Sequence, residues 1–581
     1  MIDRIKSIKG AHLVKGVHLS TVSGVASTKP ELVRYFDKQQ PSIDVITTKS
    51  FQVNPNPGNR EPVICELTPG SFGNSVGLRN PGLEKSLPPL EKIRKEGLRA
   101  LLNVSVSASN IEDFITLIKA FDEIADSIEL NFSCPHAAKG FGASIGCDLN
   151  VASLYVREIR KAFPSQKSAL LIKLTPNVDD IGSIAKAVID AGADGIVAIN
   201  TVGPEVHIHK ESGMPILNNK LGGKGGKSGK WVKERALEAV KQIRTAIGDE
   251  PVIIGMGGLC DAYDVSAMIS AGADAVGLGS VFGTVEQQNW RAYLDCLKDE
   301  TIALLDQKTI DNKASSFIRT DNRMEYTKHT VLSVVEHTKD MLIITLSGKL
   351  NCKSGEFAFL FIPGKGEKPF SVAHNEPLTF LIRKRGEFTK ALFELKEGDT
   401  IYTRGLYGKP LIHEKKKNVL LIGGGSGVAV LPLLCNMVEA DNSKVDVLVG
   451  TTLDPIGVDN KALFEDFFNN FGTYTVIADD GKPGRVLDHI SEHIYDVNDT
   501  AVYIVGPEKF MSIAASKLTS LGISKDDIYM SMERSTMCGI GMCGECVCGD
   551  RLACQYGTFF TYSYLLNNAK DLLSWLTLMY I

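Results

Sequence analysis

Between residue 41 and about residue 285, short aliphatic or β-branched runs alternate with segments whose apolar positions recur at helical spacing. The runs are Ile43–Ile46, Ala100–Val104, Ser127–Leu130, Ala169–Leu174, Gly195–Ile199, Val252–Ile254 and Ala275–Leu278. Amphipathic segments, Glu112–Ile124, Ala152–Ala162, Ile181–Ala191 and Lys233–Ile247, lie between several of them. A strand that is apolar along its whole length is buried on both faces, and helical crossovers return the chain so that successive strands pair in parallel. This many units in about 290 residues favours a closed barrel over an open doubly wound sheet. The expected fold class is therefore α/β, with an N-terminal (β/α)8 TIM barrel over residues 1–305.

The pattern changes further along. Residues 306–325 are polar and hold no sustained period, as a linker does. Short alternating strands follow at His329–Glu336, Met341–Ser347, Glu356–Ile362, Leu378–Ile382 and Thr400–Arg404, and predict a small antiparallel β-barrel over 326–414. Then Asn418–Ile422 runs into Gly423-Gly424-Gly425-Ser426-Gly427 and a helical stretch through Met437. A helix N-terminus after a glycine turn offers free amides to a pyrophosphate. With further strands at Val445–Thr451, Tyr474–Ala478 and Ala501–Val505, this predicts a nucleotide-binding α/β domain over 415–530. The apolar ending Leu572–Ile581 is too short to span a bilayer.

Composition narrows the functional classes. A chain of 581 residues needs more than one core. Its net charge of −4 gives no electrostatic reason to expect nucleic acid or an anionic membrane as partner. The N-terminal stretch lacks the apolar core of a signal peptide, so a cytoplasmic protein is expected. Of the 12 cysteines, seven are scattered singly up to Cys435 and five crowd into Cys538–Cys554, which points to a metal cluster in a reducing compartment rather than to disulfides.

In a (β/α)8 barrel the chemistry sits at the C-terminal ends of the strands, and polar or glycine-rich signals stand there in series. Asn131-Phe132-Ser133-Cys134-Pro135-His136 follows one strand, Thr47-Thr48-Lys49-Ser50 another, and Asn200-Thr201 a third; Lys173 closes a fourth. Gly257-Gly258 and Gly279-Ser280 follow the last two, where backbone amides commonly meet a phosphate. Each has a plainer reading alone: tight turns, a surface lysine, a lysine snorkelling from a strand end, a buried structural cysteine. A thiol with an ordinary pKa of about 8.5 acts as a base only where its surroundings stabilise the thiolate or take its proton.

Taken together, residues 1 to about 300 resemble the FMN-containing catalytic subunit of class 1B dihydroorotate dehydrogenases, through Thr47–Ser50, Asn74–Gly82, Asn131–Pro135, Lys173, Asn200-Thr201 and both glycine pairs. The resemblance implies that Ser23, Lys49, Ser50, Asn103, Asn131, Lys173, Ile199, Gly257, Gly258, Gly279 and Ser280 hold FMN, together with one glycine of 222–229. Gly226 and Gly229 are the candidates there, and spacing to the following helix favours Gly229. It further implies a flat pyrimidine ringed by Lys49, Asn74, Asn131, Asn200 and Thr201, with amides of Ser75, Val76, Gly77 and Leu78 on its carboxylate and Cys134 as the base that removes a proton from C5 while C6 loses a hydride. One departure is His136, where these enzymes usually carry asparagine; Ser-Cys-Pro-His resembles dihydropyrimidine dehydrogenases acting on uracil and thymine. Cys147 could be a second reactive thiol, and His207 and His209 a metal pair, but plain loop residues are the better reading of each.

The second half resembles the electron-transfer subunit that partners those enzymes. Lys368-Pro369-Phe370-Ser371 matches its flavin motif except at the first position, where lysine keeps the charge but loses the bidentate fork. Ile382-Arg383 and Gly386-Glu387-Phe388-Thr389 match its second FAD segment, with Phe388 in place of a glycine. Cys538-x4-Cys543-x2-Cys546-x7-Cys554 follows the order of 2Fe–2S proteins, with zinc as the alternative and Cys548 outside the ligand set. The expectation is a homo-oligomeric NAD-dependent dihydroorotate dehydrogenase of pyrimidine synthesis, its electrons passing from FMN through the 2Fe–2S cluster and FAD to NAD at Gly423, Gly424, Gly425 and Gly427. Its rivals are a dihydropyrimidine dehydrogenase and a non-catalytic electron-transfer protein.

Overall fold

The computed structural model describes residues 5–132, 143–412, 414–451, 462–471, 473–478 and 485–573. Ser133–Gly142, and with them Cys134 and His136, lie outside the described residues. The chain forms two compact units, Met1–Met324 with Ile540–Glu545, and Glu325–Gly539 with Cys546–Ile581.

In the first unit eight parallel strands close a barrel: β1 (Leu19–Thr21), β2 (Ile43–Thr47), β3 (Leu101–Val106), β4 (Ser127–Asn131), β5 (Ala169–Lys173), β6 (Gly195–Ala198), β7 (Val252–Met256) and β8 (Ala275–Leu278). Their order around the barrel is β1-β8-β7-β6-β5-β4-β3-β2, with β2 pairing back onto β1. Strands β2 to β8 coincide with the seven apolar runs. The eighth, Leu19-Ser20-Thr21, carries no apolar run of its own, and its pairing with β2 and β8 is what makes it a strand.

A recurring charge device fixes the N-terminal rim. Asp126, Asp194 and Asp274 each stand one residue before a strand, and each accepts a backbone N–H from the neighbouring strand: Leu102 at 2.9 Å, Leu170 at 2.7 Å and Ile253 at 2.9 Å. Each is also paired with an arginine of a barrel helix, Arg94, Arg160 or Arg244. Arg160 and Arg244 donate in addition to the carbonyls of Gly192 and Gly272, so the repeated Ala-Gly-Ala-Asp turns are clamped at both ends.

Above the opposite rim lies an antiparallel sheet in the order Ile64–Thr68, Ser71–Asn74, Lys224–Gly229, Val202–Val206. The stretch 222–229, which holds both glycine candidates for the flavin contact, is largely a strand of this sheet. Lys-Gly-Gly-Lys-Ser-Gly has no apolar alternation, and it is extended because Gly226–Gly229 pair with Asn74–Ser71.

The second unit holds two large sheets and a two-stranded one, Val547–Cys548 with Arg551–Leu552. Strands β9 (Tyr326–Thr338), β10 (Met341–Leu346), β11 (Phe357–Ile362), β12 (Gly366–Phe370), β13 (Val372–Asn375), β14 (Leu378–Arg383) and β15 (Thr400–Tyr407) form an antiparallel sheet in the order β12-β11-β15-β9-β10-β14-β13. Val331, Leu342, Ile344, Leu360, Phe380 and Ile382 build its core. A second sheet has the order β18-β17-β16-β19-β20-β21, from β16 (Asn418–Gly424), β17 (Lys444–Thr451), β18 (Thr473–Ala478), β19 (Thr500–Val505), β20 (Ile528–Ser531) and β21 (Phe559–Thr561). It is parallel except for β21. Successive residues of β16 enter opposite cores, Leu420 and Ile422 one, Val419 and Leu421 the other. That is the signature of a sheet covered on both faces. Past Gly424 the chain makes a 3-10 turn, Gly425–Val430, before the helix Leu431–Ala440 begins, because Gly427 packs directly against the backbone of Gly506.

Asp274 is fully buried whereas the Asp194 side chain is 37% exposed, which separates two otherwise similar clamps. Asp274→Ala strands the buried Arg244 and is expected to destabilise β7 and β8 by about 3–5 kcal/mol, read as lost hydrogen-exchange protection. Asp194→Ala should cost clearly less, and equal losses would contradict the burial argument.

Candidate active site

The cavity at the C-terminal ends of the barrel strands has a polar floor. Glu129 on β4 points into the barrel, fully buried, and accepts from Ser105 Oγ at 2.8 Å and Asn103 Nδ2 at 3.4 Å. Lys173, at the end of β5, lies 3.6 Å from the same carboxylate and donates to Ser23 Oγ at 2.7 Å. Ser50 bonds Ser105 at 2.8 Å and accepts from Asn131 Nδ2 at 3.2 Å, and Asn131 Oδ1 faces Asn200 Nδ2 at 3.5 Å. A single network thus joins side chains on β3, β4 and β5 to side chains in the turns after β1, β2 and β6.

Of the residues singled out from sequence, Ser23, Lys49, Ser50, Asn131, Lys173 and Ile199 line this cavity. So do Asn74, Val76, Gly77, Leu78, Asn200 and Thr201, and Gly229, Gly257, Gly258, Gly279 and Ser280. Gly226, the alternative to Gly229, does not. Two others stand behind the wall. Asn103 is buried beneath the floor between Thr47, Ser127 and Glu129, and the Ser75 hydroxyl accepts from Asn59 and Asn219 within the loop.

At one end the walls are bare backbone. Gly257 and Gly258 have φ of +139° and +74°, and a β-carbon on Gly258 would overlap the carbonyl of Gly229. On Gly279 it would stand 2.8 Å from Val22. A side chain at Gly258 or Gly279 would displace these neighbours, so backbone forms this part of the wall. These residues fit a phosphate-bearing flavin such as FMN, with the phosphate at the glycines.

Cations line the cavity as well. Lys49 is 8% exposed, and burial holds its pKa below the usual lysine value against the pull of Glu545. Arg79 lines the same wall and was not singled out from sequence, nor was Glu129. Within this unit Ile540–Glu545 packs onto the barrel: Ala26 N–H donates to Met542 O at 2.8 Å, Thr28 Oγ1 to Cys543 O at 2.8 Å, and Lys29 pairs with Glu545 at 2.9 Å. Met542 itself lines the cavity.

Comparison with known proteins bears on this unit. The family model for dihydroorotate dehydrogenase matches residues 8–295. A dihydroorotate dehydrogenase B (NAD(+)), catalytic subunit, from Methanocaldococcus jannaschii is 42% identical over 238 residues, 40% of this chain and 74% of the relative. The proteins of that name from Pyrococcus abyssi and Alkaliphilus metalliredigens are each 38% identical, over 45% and 49% of this chain and 82% and 90% of their own lengths. The chain belongs to the dihydroorotate dehydrogenase family.

The family match ends before the second unit. There Lys368, Pro369 and Phe370 close β12, Ser371 follows, and Ile382 and Arg383 close β14. Gly386 caps the helix Glu387–Phe393, with Thr389 Oγ1 accepting from the amides of Arg385 and Gly386. Phe388 is buried in the core of the antiparallel sheet, which accounts for a large residue there. Arg383 lies near the glycine turn, its guanidinium 3.9 Å from where a β-carbon of Gly425 would stand. A cationic side chain beside a glycine turn fits a dinucleotide phosphate, and Arg383 is also paired with Asp340 at 2.8 Å.

Cys538, Cys546 and Cys554 are buried, and the Cys554 thiol is hydrogen-bonded to both others. Cys543 is buried in the segment that packs on the barrel. Three converging buried thiols fit thiolate ligation of a cluster, although among the described residues no three His, Cys, Asp or Glu side chains form a ready metal cage. Cys548 belongs to an apolar core, and burial pushes its pKa up to about 12. His207 stacks on Trp231, His209 Nδ1 bonds Ser212 Oγ at 2.9 Å, and Cys147 is exposed. Among the described residues, no helix is long and apolar enough to cross a membrane.

Gly258→Ala must shift either its own backbone or Gly229, at about 1–2 kcal/mol for the left-handed conformation alone. FMN affinity should fall on the order of tenfold, measured by flavin retained through purification, with circular dichroism unchanged. Full flavin retention would show that the glycine cradle is not its phosphate site.

Proposed function

We propose that this chain oxidises dihydroorotate to orotate, with Cys134 as the base and NAD+ as the final acceptor. The observation that carries the reading is that Lys49 and Arg79 line the cavity together with Asn74, Asn131 and Asn200, in a barrel of the dihydroorotate dehydrogenase family. A carboxylated ring calls for cations at one edge and for groups that both donate and accept along the others, which asparagine amides supply. The floor network holds Asn131 through Ser50, so its amide is oriented before a ligand arrives.

In the reaction the C5 proton passes to Cys134 and C6 gives up a hydride on the opposite face of the ring. FMN held at the glycine cradle would supply the hydride acceptor, and a 2Fe–2S cluster held by Cys538, Cys543, Cys546 and Cys554, FAD held at Lys368–Ser371 and Ile382–Thr389, and NAD held at Gly423–Gly427 would supply the onward redox chemistry. Cys543 is carried by a segment packed on the barrel, one residue from Met542 in the cavity wall. Catalytic and electron-transfer parts in one chain replace a bimolecular encounter by an effective concentration set by the linker.

The second reading, reduction of uracil or thymine, rests on His136. Lys49 and Arg79 weigh against it, since those rings carry no carboxylate. Anaerobic mixing of the full chain and NAD+ with dihydroorotate should yield NADH, and dihydrouracil should yield little. NADH from dihydrouracil alone would overturn the assignment. Zinc in place of iron in metal analysis would remove the relay.

A further inference from the structure

Arg404, on β15, is fully buried and uses all five of its N–H donors. Nε and Nη2 grip the Glu367 carboxylate at 2.8 and 2.6 Å. Nη1 donates to Tyr407 Oη at 2.7 Å and to the carbonyl of Cys538 at 3.0 Å; Nη2 donates also to the carbonyl of Met537 at 3.1 Å. The guanidinium lies 3.8 Å over the Phe359 ring. Glu367 is equally buried, takes a further bond from Tyr326 at 2.8 Å, and immediately precedes Lys368 of the flavin motif on β12. Beyond β15, Gly408 N–H donates to Cys554 O at 3.0 Å. Gly539 brings the cysteine segment against Tyr407, where a β-carbon would stand 2.7 Å from the ring.

A buried ion pair is no gain in stability over well-packed apolar groups, so this one calls for another account. From this arrangement we infer that Arg404 and Glu367 are positioning residues that tie Cys538 to the flavin-motif strand and set the electrostatic field at the Cys538 thiolate. The inference rests on the proposed role of the four cysteines as cluster ligands. The pair is neutral, but its positive member is the one bonded to the Cys538 carbonyl. In a buried site that orientation favours added electrons on the group held by Cys538, because cluster potentials respond to nearby charge and hydrogen bonds. Four of the five donors also fix geometry, two on the carboxylate and two on successive carbonyls of the segment that starts the motif.

The test is the midpoint potential and electron paramagnetic resonance spectrum of the reduced cluster in the full chain, purified anaerobically, with iron and FAD content measured alongside. Glu367→Gln leaves the guanidinium uncompensated and should raise the potential. Arg404→Gln leaves the carboxylate and removes the donors, and should lower it and alter the spectrum. Opposite signs are the expected result, and general loosening of the fold would not produce them. Shifts of the same sign, or none in either variant, would overturn the inference. If Arg404→Gln retains no iron, Arg404→Lys replaces it: with the charge kept, its potential should stay near that of the unaltered chain while Glu367→Gln rises. A fall in Glu367→Gln overturns the inference in that case too. An unaltered chain without iron would instead overturn the cluster reading beneath it, which the iron content tells apart.

Discussion

Two opposite charges 3.6 Å apart inside the barrel, Lys173 and Glu129, set the terms for the rest of the first unit. Neither can be left alone there, because an isolated buried charge costs several kcal/mol even after relaxation. Attraction between them repays that only if their remaining hydrogen-bonding capacity is also met. Ser105 and Asn103 meet it on the carboxylate and Ser23 on the ammonium. Ser105 then holds Ser50, and Ser50 holds Asn131. The floor of the cavity is polar and ordered for this reason, while the outward faces of the same strands pack against helices as ordinary apolar core. Breaking the pair would disturb the orientation of every polar group above it.

The second unit meets the same constraint at another place. Arg404 and Glu367 are both wholly excluded from solvent, and the arginine's donors beyond the carboxylate are spent on backbone carbonyls and a tyrosine. In each unit the buried charge is joined to residues that carry the candidate chemistry: Asn131 in one, Cys538 in the other. The two networks thus link buried charges to the groups proposed to react.

What could be read from sequence followed the physics of each element. Seven barrel strands and four helices announce themselves because double burial leaves long apolar runs and amphipathic crossovers. Leu19–Thr21 does not, since three residues hold no pattern and its pairing is supplied by neighbours far along the chain. In the sheet above the cavity the strand Lys224–Gly229 was equally silent, being built of glycine, lysine and serine. Most cavity residues were legible because strand-end motifs recur in order through the chain. Glu129 was hidden inside an apolar run, and Arg79 inside a loop motif read for its backbone amides. Arg404 and Glu367 stand on alternating strands where a charge ordinarily faces water, and only the tertiary structure shows that both are buried.

The central claim is that electrons taken from the ring in the barrel leave through the cysteines of the same chain. It is tested most directly by adding dihydroorotate anaerobically to the full chain in the absence of NAD+ and recording electron paramagnetic resonance after rapid freezing. The account predicts the signal of a reduced 2Fe–2S cluster, appearing within turnover time. Flavin bleaching with no cluster signal would contradict it.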